Sequence, residues 1–198
     1  MRRINRALRD LGEDQRGATI VEFSLVCIPF ITMLCAMFEL GFRQYVAVQL
    51  QDALDQAARK VMVAEGTTSS QLKASIEPRI KVVSPGATVT VKPTSYDKFQ
   101  NVAKAEPITT DTAPLGVYNP GDCFTDINGN GNWDSDAGTV DSTGGSDDVV
   151  LYTATVQYRE VVPVSGLLGW SSTRELTATT MLKNQPYASQ PEPDTVCK

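Results

Sequence analysis

The sequence predicts an α+β fold: one long N-terminal helix, half apolar and half amphipathic, packed on a small antiparallel sheet. Three observations carry this prediction. No charged residue interrupts the run from Phe23 to Phe38. Beyond it, Val46, Leu50, Ala53, Leu54, Ala57 and Val61 recur at helical spacing among Gln49, Gln51, Asp52, Gln56, Arg59 and Lys60. Far along the chain, Val150 to Tyr158 and Leu176 to Leu182 alternate apolar with polar residues, as strands with one buried face do.

Residues 1–17 form a basic leader with Arg2, Arg3, Arg6, Arg9 and Arg16. Residues 18–42 follow as the transmembrane half of the helix, because the apolar stretch with its flank from Ala18 to Val21 approaches the roughly 20 residues that span a bilayer. Arginines precede the stretch and few cations follow it closely, so the leader is expected in the cytoplasm and the remainder outside. A cleaved secretory signal is disfavoured, since Phe38-Glu39-Leu40-Gly41 is bulky and charged where small residues are needed. Val26 and Leu34 before Cys27 and Cys35 likewise lack the small residue of a lipoprotein site. Pro29 is expected to kink the helix without ending it. Residues 43–64 form the amphipathic half, and one continuous helix would rise about 70 Å at 1.5 Å per residue. A membrane anchor followed by a separate surface helix fits the same periodicity.

Residues 65–198 are expected to form an extracytoplasmic α+β domain. It starts with a helix over Ser70–Ile80, begun by Ser69 or Ser70, then a Pro85-Gly86 turn and a strand near Thr88–Lys92. From Pro93 to Gly121 the prolines and threonines predict irregular chain with one strand at most. Between the two late strands, Pro163-Val164-Ser165-Gly166-Leu167-Leu168-Gly169-Trp170 is apolar for a linker. It is expected to be core, with a contact surface as the other reading.

The 198 residues contain no histidine, which removes Ser-His-Asp and Cys-His catalysis and most catalytic zinc sites. A net charge of -5 argues against a nucleic-acid partner. A carboxylate pair such as Asp147 and Asp148 would serve a glycosidase, but these acids sit in a turn-rich segment with no cleft implied. No catalytic residue is assigned.

Glu22 lies four residues into the apolar segment, where an ionised carboxylate costs several kcal/mol without a partner. A cut after Gly17 would give Ala18 a free amine, and that amine, or a neighbouring subunit's, would neutralise Glu22. Solvation of Glu22 at headgroup depth is the simpler alternative. In Gly17, Glu22 at the fifth position after it, Pro29 and Glu39-Leu40-Gly41, the segment resembles the TadE-like pseudopilins of Tad (Flp-type) pili, which are similar to type IV pilins. The resemblance covers about the first third of the chain. It implies a pilin-like shape, processing after Gly17 by a dedicated prepilin peptidase, and packing against other pilins and pseudopilins. Phe23 stands where the major Flp pilins have tyrosine, and the C-terminal part is far larger than theirs. Both departures point to a minor subunit.

Cys123 and Cys197 fall outside the membrane, where disulfides persist, and are expected to pair and so tie down the Gln190-Pro191-Glu192-Pro193 tail. Cys27 and Cys35 read as small apolar anchor residues. After Cys123, oxygen-bearing Asp126, Asn128, Asn130 and Asp134 occupy positions 1, 3, 5 and 9 of a calcium-loop template, with Gly131 at 6 and Trp133 at 8. Asn132 and Asp136 complete the candidate Ca2+ set. Ala137 stands at position 12, so Asp136, Asp147 or Asp148 would have to replace the usual glutamate. A solvated Asn/Gly turn is the alternative. The expectation is a non-catalytic minor pilin or pseudopilin of the bacterial inner membrane, single-pass, acting in assembly, tip structure and adhesion. An anchored calcium-binding adhesin that never enters a fibre is the alternative.

Overall fold

The computed structural model describes residues 16–63, 68–162, 164–167, 169–186 and 188–198. The leader up to residue 15, and the predicted helix end at Ala64, lie outside them. Helix α1 runs from Arg16 to Val63 and continues through Pro29. The chain forms two compact units, one of the described residues up to Arg43 with Glu160–Ser172, the other of Gln44–Arg159 with Thr173–Lys198.

In the first unit the apolar part of α1 is long and hydrophobic enough to cross a membrane, and its most apolar window is not buried by the protein. Phe23, Phe30 and Phe38 all stand exposed. Such a surface is stable only in lipid or against other helices. The short helix α3, Val164–Leu167, belongs to the same unit. There the Val162 amide donates to Glu39 Oε2 at 3.2 Å, which fixes the linker to α1 at the first charge beyond Phe38. Of the apolar side chains in the 163–170 linker only Trp170 is described, and it stands exposed; Pro163, Val164, Leu167 and Leu168 lie outside the described side chains. Val161 is 62% and Trp170 66% exposed, and only Ser165 is buried.

In the second unit α1 buries Val46, Leu50, Ala53, Leu54, Ala57 and Ala58. Their spacing gives one stripe along a little over three turns. Helix α2, Ser69–Val83, turns Leu72, Ile76 and Ile80 inward and packs on strand β1. It starts one residue earlier than its serines predicted, since the Gln71 side chain reaches back to the Thr68 amide at 2.9 Å and makes Thr68 the cap. Asp52 on α1 meets Arg79 on α2 at 3.7 Å, and Gln51 donates to the Thr179 carbonyl at 3.2 Å.

The main sheet is antiparallel, in the order β4-β1-β5-β6, from Thr88–Tyr96 (β1), Thr139–Val140 (β4), Val149–Arg159 (β5) and Thr173–Lys183 (β6). Register pairs Val89 with Val156 and Val91 with Ala154, then Ala154 with Ala178 and Val156 with Leu176. The buried face therefore carries Val89, Val91, Val150, Tyr152, Ala154, Val156 and Tyr158. Strand β1 passes Pro93, where the sequence suggested an end. Short β4 pairs only with Thr94 and Ser95, so the rest of β1 is an edge, where a missing donor is tolerated.

A second sheet, ordered β2-β3-β7, joins Ile108–Thr110, Cys123–Asp126 and Asp194–Cys197. Its last strand comes from the Pro-rich tail. Cys123 and Cys197 are directly opposite in the ladder and are joined by a disulfide.

Candidate functional site

Two places hold the residues singled out by the sequence. The first is the start of α1. Gly17 and Glu22 lie within its first two turns and are exposed, and nothing approaches the space a side chain at Gly17 would fill. Ala18 precedes Glu22 by one helical turn, about 6 Å of rise. Among the described residues Glu22 has no ion-pair partner, so its charge must be met by a group outside the described chain or left to solvent.

The second place is the segment from Asp126 to Asp136, which leaves β3. Two glycines with left-handed backbones, Gly129 (φ 71°) and Gly131 (φ 74°), let it coil tightly. Asp126 is buried and turned into the coil, accepting from the Asn130 amide at 3.2 Å and the Gly131 amide at 2.7 Å. The Asn128 and Asn130 side-chain Nδ2 groups donate to Asp134 Oδ2 at 2.8 and 2.6 Å. Asn128, Asn130, Asp134 and Asp136 line one open pocket of about 340 Å3 with Gly138, Thr139 and Val140. Asp126 and Asn132 do not line that pocket. Asn132 instead accepts from Lys198 Nζ at 3.2 Å.

The residues proposed to replace the twelfth-position glutamate divide. Asp136 lines the pocket and accepts from the Gly138 amide at 3.1 Å and the Tyr96 hydroxyl at 3.3 Å. Burial, with Asp136 beside it, pushes the Tyr96 phenol pKa up. Asp147 and Asp148 are committed elsewhere: Asp147 pairs with Lys183 at 2.8 Å, and Asp148 accepts from the Gly145 amide and Gln190 at 2.6 Å each. Among the described residues no three Asp, Glu, Cys or His side chains gather as a metal set. A cation here would depend on asparagine oxygens beside Asp134 and Asp136.

The carboxylate that closes the coil is Glu106, which sequence reasoning missed. It is 2% exposed and accepts from the Ile127 amide at 2.8 Å and the Asp134 amide at 3.1 Å, one at each end of the coil. Burial holds its carboxyl above the usual glutamate range, although the two amides act to lower it. The Glu106 carbonyl also accepts from Trp133 Nε1 at 2.9 Å, and Trp133 stacks on Tyr118 with centroids 5.1 Å apart. Asp122, beside Cys123, is fully buried and accepts from the Thr112 hydroxyl and amide and the Asn119 amide. Those bonds, the Thr112 hydroxyl's first, hold its carboxyl below the usual range.

No curated protein and no solved structure matches the chain. Residues 17–59 match the model of the TadE-like protein family, a stretch that takes in Gly17, Glu22, Pro29 and Glu39-Leu40-Gly41 and stops within α1. Along that helix the chain is similar to the TadE-like protein family.

Proposed function

We propose that the chain is a non-catalytic minor pilin or pseudopilin of a Tad-type pilus, cut after Gly17 by a prepilin peptidase and packed through α1 among other pilins. One observation carries this reading: the family match falls on the helix whose apolar surface is bare and whose one early carboxylate, Glu22, has no ion-pair partner among the described residues. Cutting removes the basic leader and supplies an amine at Ala18, one turn from Glu22 or facing that of a neighbour. The helix then exchanges lipid contacts for helix contacts at little cost, since both surroundings are apolar. The protein resides in the inner membrane with its domain outside until it is assembled. Tip structure and surface adhesion are roles for the large domain.

The same reading takes the coil at 126–136 as a calcium site. Asparagine amides rotate by 180° with little change in shape, so a cation in the pocket would find Asn128 and Asn130 oxygens beside Asp134 and Asp136.

N-terminal sequencing of the membrane-extracted protein, from cells with and without their prepilin peptidase, tests the proposal. A start at Ala18 only when the peptidase is present is expected. Retention of the leader in cells that process their other pilins would favour the anchored module that never enters a fibre.

A further inference from the structure

We infer that the linker Glu160–Ser172 is a second membrane contact, seating Trp170 and Val161 in the interfacial layer on the outer side of the bilayer that holds α1. The inference rests on the anchor reading of α1 proposed above. The apolar stretch from Thr19 to Phe38 is about 20 residues, roughly 30 Å of helix, which matches the hydrocarbon thickness. Glu39, the first charge after it, is therefore at the outer headgroup boundary. The linker is bound at that depth, because the Val162 amide donates to Glu39 Oε2 and the linker and lower α1 form one compact unit.

What the linker shows to its surroundings fits lipid better than water. From Val161 to Gly169 it carries no charge. Val161 and Trp170 point outward, and on α1 Met37, Phe38 and Leu40 are also exposed around Glu39. Several of the linker's polar groups are paired within it. Glu160 accepts from the Ser165 hydroxyl. The Trp170 amide donates to the Ser165 carbonyl at 3.0 Å, the Gly169 amide to Gly166 at 3.3 Å, and the Glu160 amide to Ser172 at 2.9 Å. A segment entering the edge of a bilayer needs that internal pairing, since acyl chains offer no replacement bonds. Tryptophan is the residue that prefers this depth, with its ring in the apolar layer and its N–H among headgroups. Exposed Val161 and Trp170 belong to the same compact unit as the bare apolar side chains of the anchor, which selects lipid over a soluble partner.

The test uses the full chain reconstituted in vesicles at several protein-to-lipid ratios, with brominated lipids as quenchers. Subtracting the emission of Trp170→Phe from that of the native protein isolates Trp170, leaving Trp133 untouched in its stack. The expected difference spectrum is blue-shifted and loses most of its intensity to shallow bromines at every ratio. A red, unquenched difference spectrum overturns the inference while the anchor stands, as does quenching that changes with protein density, which would mark a subunit contact. Alkaline washing and flotation give the separate control: protein that fails to float with the vesicles would sink the anchor and this inference with it.

Discussion

Glu106→Ala is the substitution that tests whether the coil at 126–136 is held from outside. The native carboxylate accepts from the Ile127 and Asp134 amides in a place 2% open to solvent. Truncation leaves two buried donors to find water or go unpaired, at about 1–3 kcal/mol each, so a loss of about 2–6 kcal/mol is expected. That corresponds to a melting temperature lower by roughly 5–15 °C for a chain of this size. The backbone bond from Glu106 to the Asp134 carbonyl survives the substitution, as does that from Trp133 Nε1 to the Glu106 carbonyl, so the segment loosens without coming free. Urea titration of the full chain in detergent, followed by tryptophan emission, reads the loss. The pH dependence adds an independent check. Because burial raises the Glu106 pKa on folding, the contribution of its proton is fully present below the unfolded pKa. It fades as pH rises through the folded value. The advantage of the native protein over Glu106→Ala should therefore shrink from acid toward neutral pH. A variant within 0.5 kcal/mol of native, a figure typical of ordinary surface changes, would refute the argument, and so would an advantage that grows over that range.

Two further outcomes are expected of the same domain. Cys197→Ser should destabilise the full chain by about 4 kcal/mol, the chain-entropy value for a closed loop of this length, and proteolysis should then start in the tail from Gln190. An unchanged urea midpoint would contradict it. Calcium should raise the melting temperature of the native chain and give binding heat that Asp134→Asn weakens, with chelator reversing both. Absence of heat and shift in the native protein would remove calcium from the account.

The long elements were legible because periodicity acts within one segment. The stripe Val46, Leu50, Ala53, Leu54 and Ala57 is buried as its spacing required, while Val61, two residues from the helix end, is only half-buried. Strands β5 and β6 extend one to three residues beyond their alternating patterns at each end. Strands β2, β3 and β7 are three or four residues long, too short for a period to register. Pro93 misled because sequence alone cannot tell an edge from a central strand. Glu106 was invisible for a different reason. Its partners lie 21 and 28 residues away, and a glutamate between Ala105 and Pro107 looks like any solvated acid. Apolar composition identified the 163–170 linker as unusual, yet composition reports what must leave water and not what receives it.

The reach of the family match sharpens how the molecule divides its work. The match ends at Arg59, yet the stripe from Val46 to Ala58 lies in the core of the second unit. One helix thus answers to two surroundings. Before Arg43 its large apolar side chains are mostly exposed and need only be apolar, so Leu, Ile, Phe and Met are interchangeable there to first order. After it, Ala53, Ala57 and Ala58 are almost wholly buried, and a larger side chain at any of them would force apart surfaces already in contact. Lipid accommodates shape and a packed core does not. On the proposed anchor reading, the apolar half is therefore free to vary within its class while the amphipathic half is tied to the domain it carries.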